Sequence, residues 1–200
     1  MPPVRRSARV NEFAKKATRS CKSGESHTTT ALSNDAKIYG YWLMKAEPES
    51  RIVKGKDVKF SIDDLYEMKD STSCWDGVRN YEARNIMRDK MKIGDKVLFY
   101  HSNCKTPGIA GTATVVREAY PDYTAFDPEH PYYDPKSKAD VPKWFMVDVK
   151  FESKFSNIIP LSALKGYQEL KDMVLIKRGR LSVQPVKAGE YDFILKLGNK

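Results

Sequence analysis

Apolar side chains along this chain gather in strand-length runs, each closed by its own stop signal. Tyr41-Trp42-Leu43-Met44-Lys45 ends at Glu47-Pro48, where proline has no N–H to give to a ladder. Residues 96–101, 109–118 and 144–151 repeat the pattern with β-branched and aromatic side chains. In the last run Trp144, Met146 and Asp148 fall on one face and Phe145, Val147 and Val149 on the other. The short apolar run 173–176 is expected to be a further strand. Helical spacing replaces this pattern in two places. Phe60-Ser61-Ile62-Asp63-Asp64-Leu65 sets Ser61 as an N-cap, acids in the first turn and a Phe60/Leu65 staple, so a helix is expected over 62–69. Ala83, Met87 and Met91 recur every four residues, which predicts a helix over 80–91 with Gly94 marking the exit. Smaller helices are expected over 161–165 and 191–197, the second entered at Lys187-Ala188-Gly189 without a Ser, Thr or Asp cap.

Five or six strands with short helices scattered among them lack the regular alternation of a doubly wound sheet. The pattern fits an α+β fold, a small mixed β-barrel with flanking helices. Residues 120–143 form the longest connection, pinned by five prolines and rich in Tyr and Phe. Residues 1–36 differ in texture. Seven basic side chains face three acidic ones there, a net +4, and Ser and Thr replace large apolar residues. Such a stretch buries too little surface to offset its ordering entropy, so 1–36 is expected to be a disordered basic tail and 37–200 the folded domain.

Composition narrows the function classes. The mean hydropathy is −0.59, and no uncharged apolar run approaches the ~18 residues of a membrane span, so a soluble, intracellular protein with no membrane partner is expected. Three cysteines at irregular spacing, Cys21, Cys74 and Cys104, suggest reduced thiols and neither a disulfide framework nor a zinc site. Three scattered histidines do not make a metal site, and the usual nucleotide, hydrolase and metalloprotease signatures are absent, so no cofactor is expected. Asp63 and Asp64 are better explained as first-turn acids than as a carboxylate pair. The net charge of +9 favours a polyanionic partner.

Residues 74–85, Cys-Trp-Asp-Gly-Val-Arg-Asn-Tyr-Glu-Ala-Arg-Asn, pack Trp75, Tyr81, Arg79, Arg84, Asn80 and Asn85 around a turn that opens a helix. A splayed base needs an aromatic face, amide groups for its edge and arginines for the flanking phosphates. The plainer alternative makes Trp75 core, Asn80 an N-cap and Arg84 part of an exposed helix face.

Trp42-Leu43-Met44-Lys45-Ala46-Glu47-Pro48, the 75–85 segment, Phe99-Tyr100-His101-Ser102-Asn103, Pro107-Gly108-Ile109-Ala110-Gly111 and Arg180-Leu181-Ser182-Val183-Gln184-Pro185 together resemble an EVE domain, in order and spacing. The resemblance spans about residues 41–197. It implies a PUA-like barrel related to the RNA-binding YTH and ASCH domains, and a non-catalytic nuclear module that reads 5-hydroxymethylcytosine or 5-methylcytosine in DNA. Carried over by position, the base pocket would comprise Trp75, Lys45, Asn80, Tyr100, His101 and Ser102, with Arg79, Arg84, Arg178 and Arg180 toward phosphate. Family members usually have Ser or Thr where this chain has Ala46. Three alternatives stay open. One is an RNA-binding module, a second is an enzyme using His101 as base, and a third is an adaptor docking through 120–143. A monomer is the default.

Overall fold

A computed structural model describes residues 40–198. The basic segment 1–36 lies outside the described residues. Six strands form one mixed sheet in the order β4-β7-β6-β5-β1-β8: β1 (Tyr41–Ala46), β4 (Thr72–Cys74), β5 (Lys96–His101), β6 (Gly108–Pro121), β7 (Phe145–Pro160) and β8 (Val183–Pro185). Only the β1–β5 pair is parallel; the other pairings are antiparallel. A separate hairpin joins β2 (Ile52–Val53) to β3 (Lys56–Asp57), turning through Lys54 and Gly55, both at positive φ.

The strand runs expected near 41, 96, 109 and 144 are all present, and β7 extends nine residues further than its apolar pattern, to Pro160. Both faces of the central sheet are covered, which explains why β1 and β5 read as unbroken apolar runs. Trp42, Met44, Val97 and Phe99 enter one core with α1 (Ile62–Glu67) and α2 (Tyr81–Asp89). Leu43, Leu98 and Tyr100 enter the other, against α5 (Ala188–Gly198) and the segments around Leu164, Leu170 and Leu175. Along β6 and β7 the register shifts at several points. A Cβ on Gly111 would lie 2.2 Å from the Ser153 carbonyl oxygen, so only glycine permits that approach.

Helix α1 begins with a reciprocal capping box: Ser61 Oγ accepts from the Asp64 amide at 3.1 Å, and the Asp64 carboxylate accepts from the Ser61 amide at 2.7 Å. It stops at Glu67, two residues early, where a 3-10 turn at Lys69–Ser71 takes over. Helix α2 runs 81–89, with Asn80 outside it as N-cap and Ala83, Met87 and Met91 all buried. A four-residue α3 (Leu161–Leu164) matches expectation. The expected strand over 173–176 is instead α4 (Val174–Lys177). The free edge of β1 is taken by β8, so this short run has no ladder to join and closes its hydrogen bonds locally, Arg178 N donating to Val174 O at 2.7 Å. Helix α5 starts three residues earlier than its apolar pattern, and the Glu190 carboxylate supplies the missing cap by accepting from the Lys187 amide at 2.9 Å. No helix among the described residues is long and apolar enough to cross a membrane.

Candidate nucleic-acid interface

The two edges of the sheet, β4 and β8, are not paired with each other, and the segments adjoining them line one cavity of about 680 Å³. That is a usual size for a ligand site. The wall is built from the end of β1, the β4–α2 turn (75–79), the turn before β8 (179–182), the hairpin 56–60 and part of the 130–132 loop. Six cationic side chains line it, Lys45, Arg51, Lys56, Lys59, Arg79 and Arg180, against the carboxylates Glu47, Asp57 and Asp76. The balance favours an anionic ligand.

Trp75 forms the floor. Its amide donates to Val147 O at 2.8 Å, continuing the β4–β7 ladder, and its ring packs edge-on against Phe60 and Phe99 at 5.7 and 5.3 Å. At 5% exposure it is chiefly a core residue and offers little open ring face. Lys45 Nζ donates to Gly179 O at 2.6 Å and lies over the Tyr100 ring, tying β1 to the turn before β8; burial lowers its ammonium pKa. Ser102 reaches the rim with its amide and hydroxyl both donating to Ala46 O, at 2.8 and 3.1 Å. The Ala46 side chain is buried, so the usual family hydroxyl is missing while the backbone oxygen anchors Ser102.

The structure does not bring the remaining pocket candidates into the cavity. Asn80 spends its side-chain oxygen on the Ala83 amide as the α2 cap and lines a neighbouring cleft. Tyr100 points into the opposite core, because β5 alternates and Phe99 holds the cavity side. His101, the last residue of the same strand, is buried, its Nε2 accepting from the Ile62 amide at 3.1 Å. That amide is the first N–H of α1, so the imidazole caps a helix.

Of the four arginines, three are engaged within the fold. Arg79 lines the cavity but gives its guanidinium to Asp122 Oδ2 at 2.7 Å and to the Tyr132 carbonyl through both Nε and Nη2. Arg84 donates to Lys143 O at 2.6 Å and lies over Tyr81. Both therefore hold the 122–144 connection. Its aromatics turn inward, with Phe126, Tyr132 and Tyr133 half-buried and Tyr123 exposed, so it presents little of an aromatic docking face. Arg178 pairs bidentately with Glu82 at 2.6 Å on the surface. Arg180 is exposed, has no hydrogen-bond or ion-pair partner among the described residues, and borders both the cavity and the neighbouring cleft. Gln184 sets its position: wholly buried, its Nε2 donates to Leu181 O at 2.7 Å and Arg178 O at 3.2 Å across the turn.

The sequence reasoning missed Asp76, Lys56 and Tyr132. Asp76 lay in plain view beside Trp75, but Asp-Gly reads first as turn chemistry. Lys56 belongs to a hairpin with two-residue strands, too short for a periodicity signal. Tyr132 comes from a distant loop, and only Gly77 hints at it: φ there is +73°, and a Cβ would sit 2.5 Å from the Tyr132 ring. No group of three metal-ligating side chains occurs among the described residues.

A family model described as EVE domain matches residues 40–197. Thymocyte nuclear protein 1 of Danio rerio is 56% identical over 197 residues, covering 90% of this chain and 85% of that protein. The Homo sapiens protein of that name is 54% identical over 181 residues, covering 86% of this chain and 80% of that protein. Among solved structures, human THYN1 protein in complex with 5-methylcytosine containing DNA matches with a TM-score of 0.78 at 55% identity, covering 80% of this chain and 98% of that one.

Proposed function

Because the chain belongs to the EVE domain family, we propose that it is a DNA-binding module that reads a modified cytosine, 5-methylcytosine or 5-hydroxymethylcytosine. The base leaves the stack and enters the cavity between β1, the β4–α2 turn and the turn before β8. The observation that carries this reading is a relative 55% identical to this chain, solved with 5-methylcytosine containing DNA, whose fold matches 80% of this chain with a TM-score of 0.78. The cavity agrees with it chemically. Its floor is aromatic, its rim is cationic, and Lys56 and Arg180 keep their charges unpaired among the described residues.

In this arrangement Trp75 closes the floor beneath the base, Lys45 and Ser102 form the rim, and Arg180 makes a phosphate contact beside the opening. Unstacking costs a few kcal/mol, which stacking and edge contacts offset. The module carries out no reaction on the base. The one histidine proposed as a general base accepts a hydrogen bond from the Ile62 amide and does not line the cavity. Nuclear residence agrees with the name of the relatives and with the basic segment 1–36.

The test is competition binding at one stated salt concentration. The competitors are matched DNA and RNA, duplex and single-stranded, with cytosine, 5-methylcytosine or 5-hydroxymethylcytosine at a single position. A preference for modified DNA is expected. Trp75→Ala would remove a core side chain and cost about 3–5 kcal/mol of stability, so the informative variant is Trp75→Phe, expected to lose about 1 kcal/mol of base affinity. Arg180→Ala is expected to weaken every nucleic acid alike and lower the salt slope by about 1. Binding that ignores the base and follows salt alone would reduce the reading to bulk charge, and tighter binding to the RNA series would move it to RNA.

A further inference from the structure

Of the three carboxylates in the cavity wall, two are already occupied. Glu47 accepts from Arg51 Nε at 2.5 Å and Asn103 Nδ2 at 3.4 Å. Asp57 accepts from Ser50 Oγ at 2.7 Å and from the Arg51 and Lys59 amides at 3.0 Å each. Asp76 differs. Beyond its own backbone N–H, no residue among the described ones gives its carboxylate a hydrogen bond, and the one cationic group within 4 Å is His130 Nε2, at 3.7 Å, outside hydrogen-bond reach. Burial, with the charge of Asp122 adding to it, raises the Asp76 pKa above the ordinary carboxylate value. The backbone on either side of Asp76 is held. The Trp75 amide before it is bound to Val147 O and the Gly77 amide after it to Asp122 Oδ2 at 3.1 Å.

A cavity that accepts 5-methylcytosine faces a discrimination problem. Thymine carries the same methyl group at C5 and a similar stacking face, and the two bases differ at position 4, where cytosine offers an amine donor and thymine a carbonyl acceptor. Apolar contact with the methyl group cannot separate them. The unpaired rim groups make matters worse, because the ammonium of Lys56 and the guanidinium of Arg180 are donors and favour thymine's O4. Selection for cytosine needs an acceptor in the wall.

We propose that Asp76 is the specificity-determining residue of this cavity, its carboxylate accepting the N4 amine of the extruded base and excluding thymine. The inference rests on the modified-cytosine reading above and deepens it. Acidic side chains accept from cytosine N4 in other recognition systems, with discrimination of roughly ten- to a hundredfold per good contact.

The experiment uses the full chain and three short single-stranded DNAs, identical except for 5-methylcytosine, cytosine or thymine at one position, so that duplex pairing does not enter. The unaltered protein is expected to bind the 5-methylcytosine strand at least about tenfold more tightly than the thymine strand. In Asp76→Ala that ratio should fall to about threefold or less, while the preference for 5-methylcytosine over cytosine persists. Asp76→Asn preserves the shape of the turn, and because its amide can also donate to O4 it should shrink the ratio as well. Thermal unfolding establishes that both variants are folded. Folded variants that keep the full ratio overturn the role of Asp76 and leave the modified-cytosine reading standing. An unaltered protein that binds the 5-methylcytosine and thymine strands equally also overturns it. An unaltered protein with no preference for 5-methylcytosine over cytosine overturns both.

Discussion

His101 sits at the end of β5 with Nε2 accepting from the Ile62 amide, so its neutral form is part of the entry to α1. Burial, the largest influence, pushes its pKa below the ordinary 6.5, against the opposing pull of Asp63 and Asp64 and with a smaller push from Lys154. The unfolded chain therefore takes up a proton at higher pH than the folded one. Stability from this group is complete above about 6.5 and declines as pH falls from there toward the folded-state value. We expect the thermal midpoint to drop between pH 7 and pH 5. His101→Gln keeps an acceptor but does not titrate, so it should flatten that decline, and an unchanged slope in this variant would refute the assignment. His101→Ala leaves a buried N–H unpaired and should cost about 1–3 kcal/mol. Trp75 carries a related lesson, since a pocket aromatic that is also core confounds binding loss with unfolding unless the substitution stays aromatic.

At the scale of elements, the β4–α2 turn is held in place by the loop that crosses it. Arg79 bridges Asp122 and the Tyr132 carbonyl, Gly77 makes room for the Tyr132 ring, and Trp144 Nε1 donates to Asp134 Oδ2 at 2.7 Å to close the loop on itself. The Asp122 side chain is fully buried. Arg79→Ala strips the counter-charge from a buried carboxylate and should destabilise by about 3 kcal/mol, read from the urea midpoint. Amide exchange across 122–143 should quicken in the same variant. An unchanged midpoint would mean that the ion pair does not hold the cavity wall. The helix starts of α1 and α2 were legible because a cap is a local event, a side chain answering an amide three residues on. The 173–176 segment was not, because four apolar residues suit either geometry and the deciding fact was that β8 occupies the β1 edge.

Over the whole molecule, charge divides almost evenly. Residues 1–36 carry a net +4 of the total +9, and the rest is spread over the domain. Phosphate contacts made by a basic segment add affinity without base information. Deleting residues 1–36 is expected to weaken DNA binding and lower its salt slope while leaving the ratio between modified and unmodified cytosine unchanged. A changed ratio would mean that the segment reaches the base itself.

The sequence by itself determined the four longer strand runs, the Ser61 cap, the family and the excess of positive charge, since each depends on residues adjacent in the chain or on composition alone. Four of its candidates, Trp75, Lys45, Ser102 and Arg180, line one cavity, drawn from ordered motifs far apart in the chain. Only the tertiary structure decided which candidates share that site. Strand alternation sends Tyr100 to the far core, a helix start takes His101, and the 122–144 loop takes Arg79 and Arg84. Asp76 emerges by the same route: every other acid in the cavity wall finds its donors in the fold, and an unspent hydrogen-bonding group becomes visible only once all its neighbours are in place.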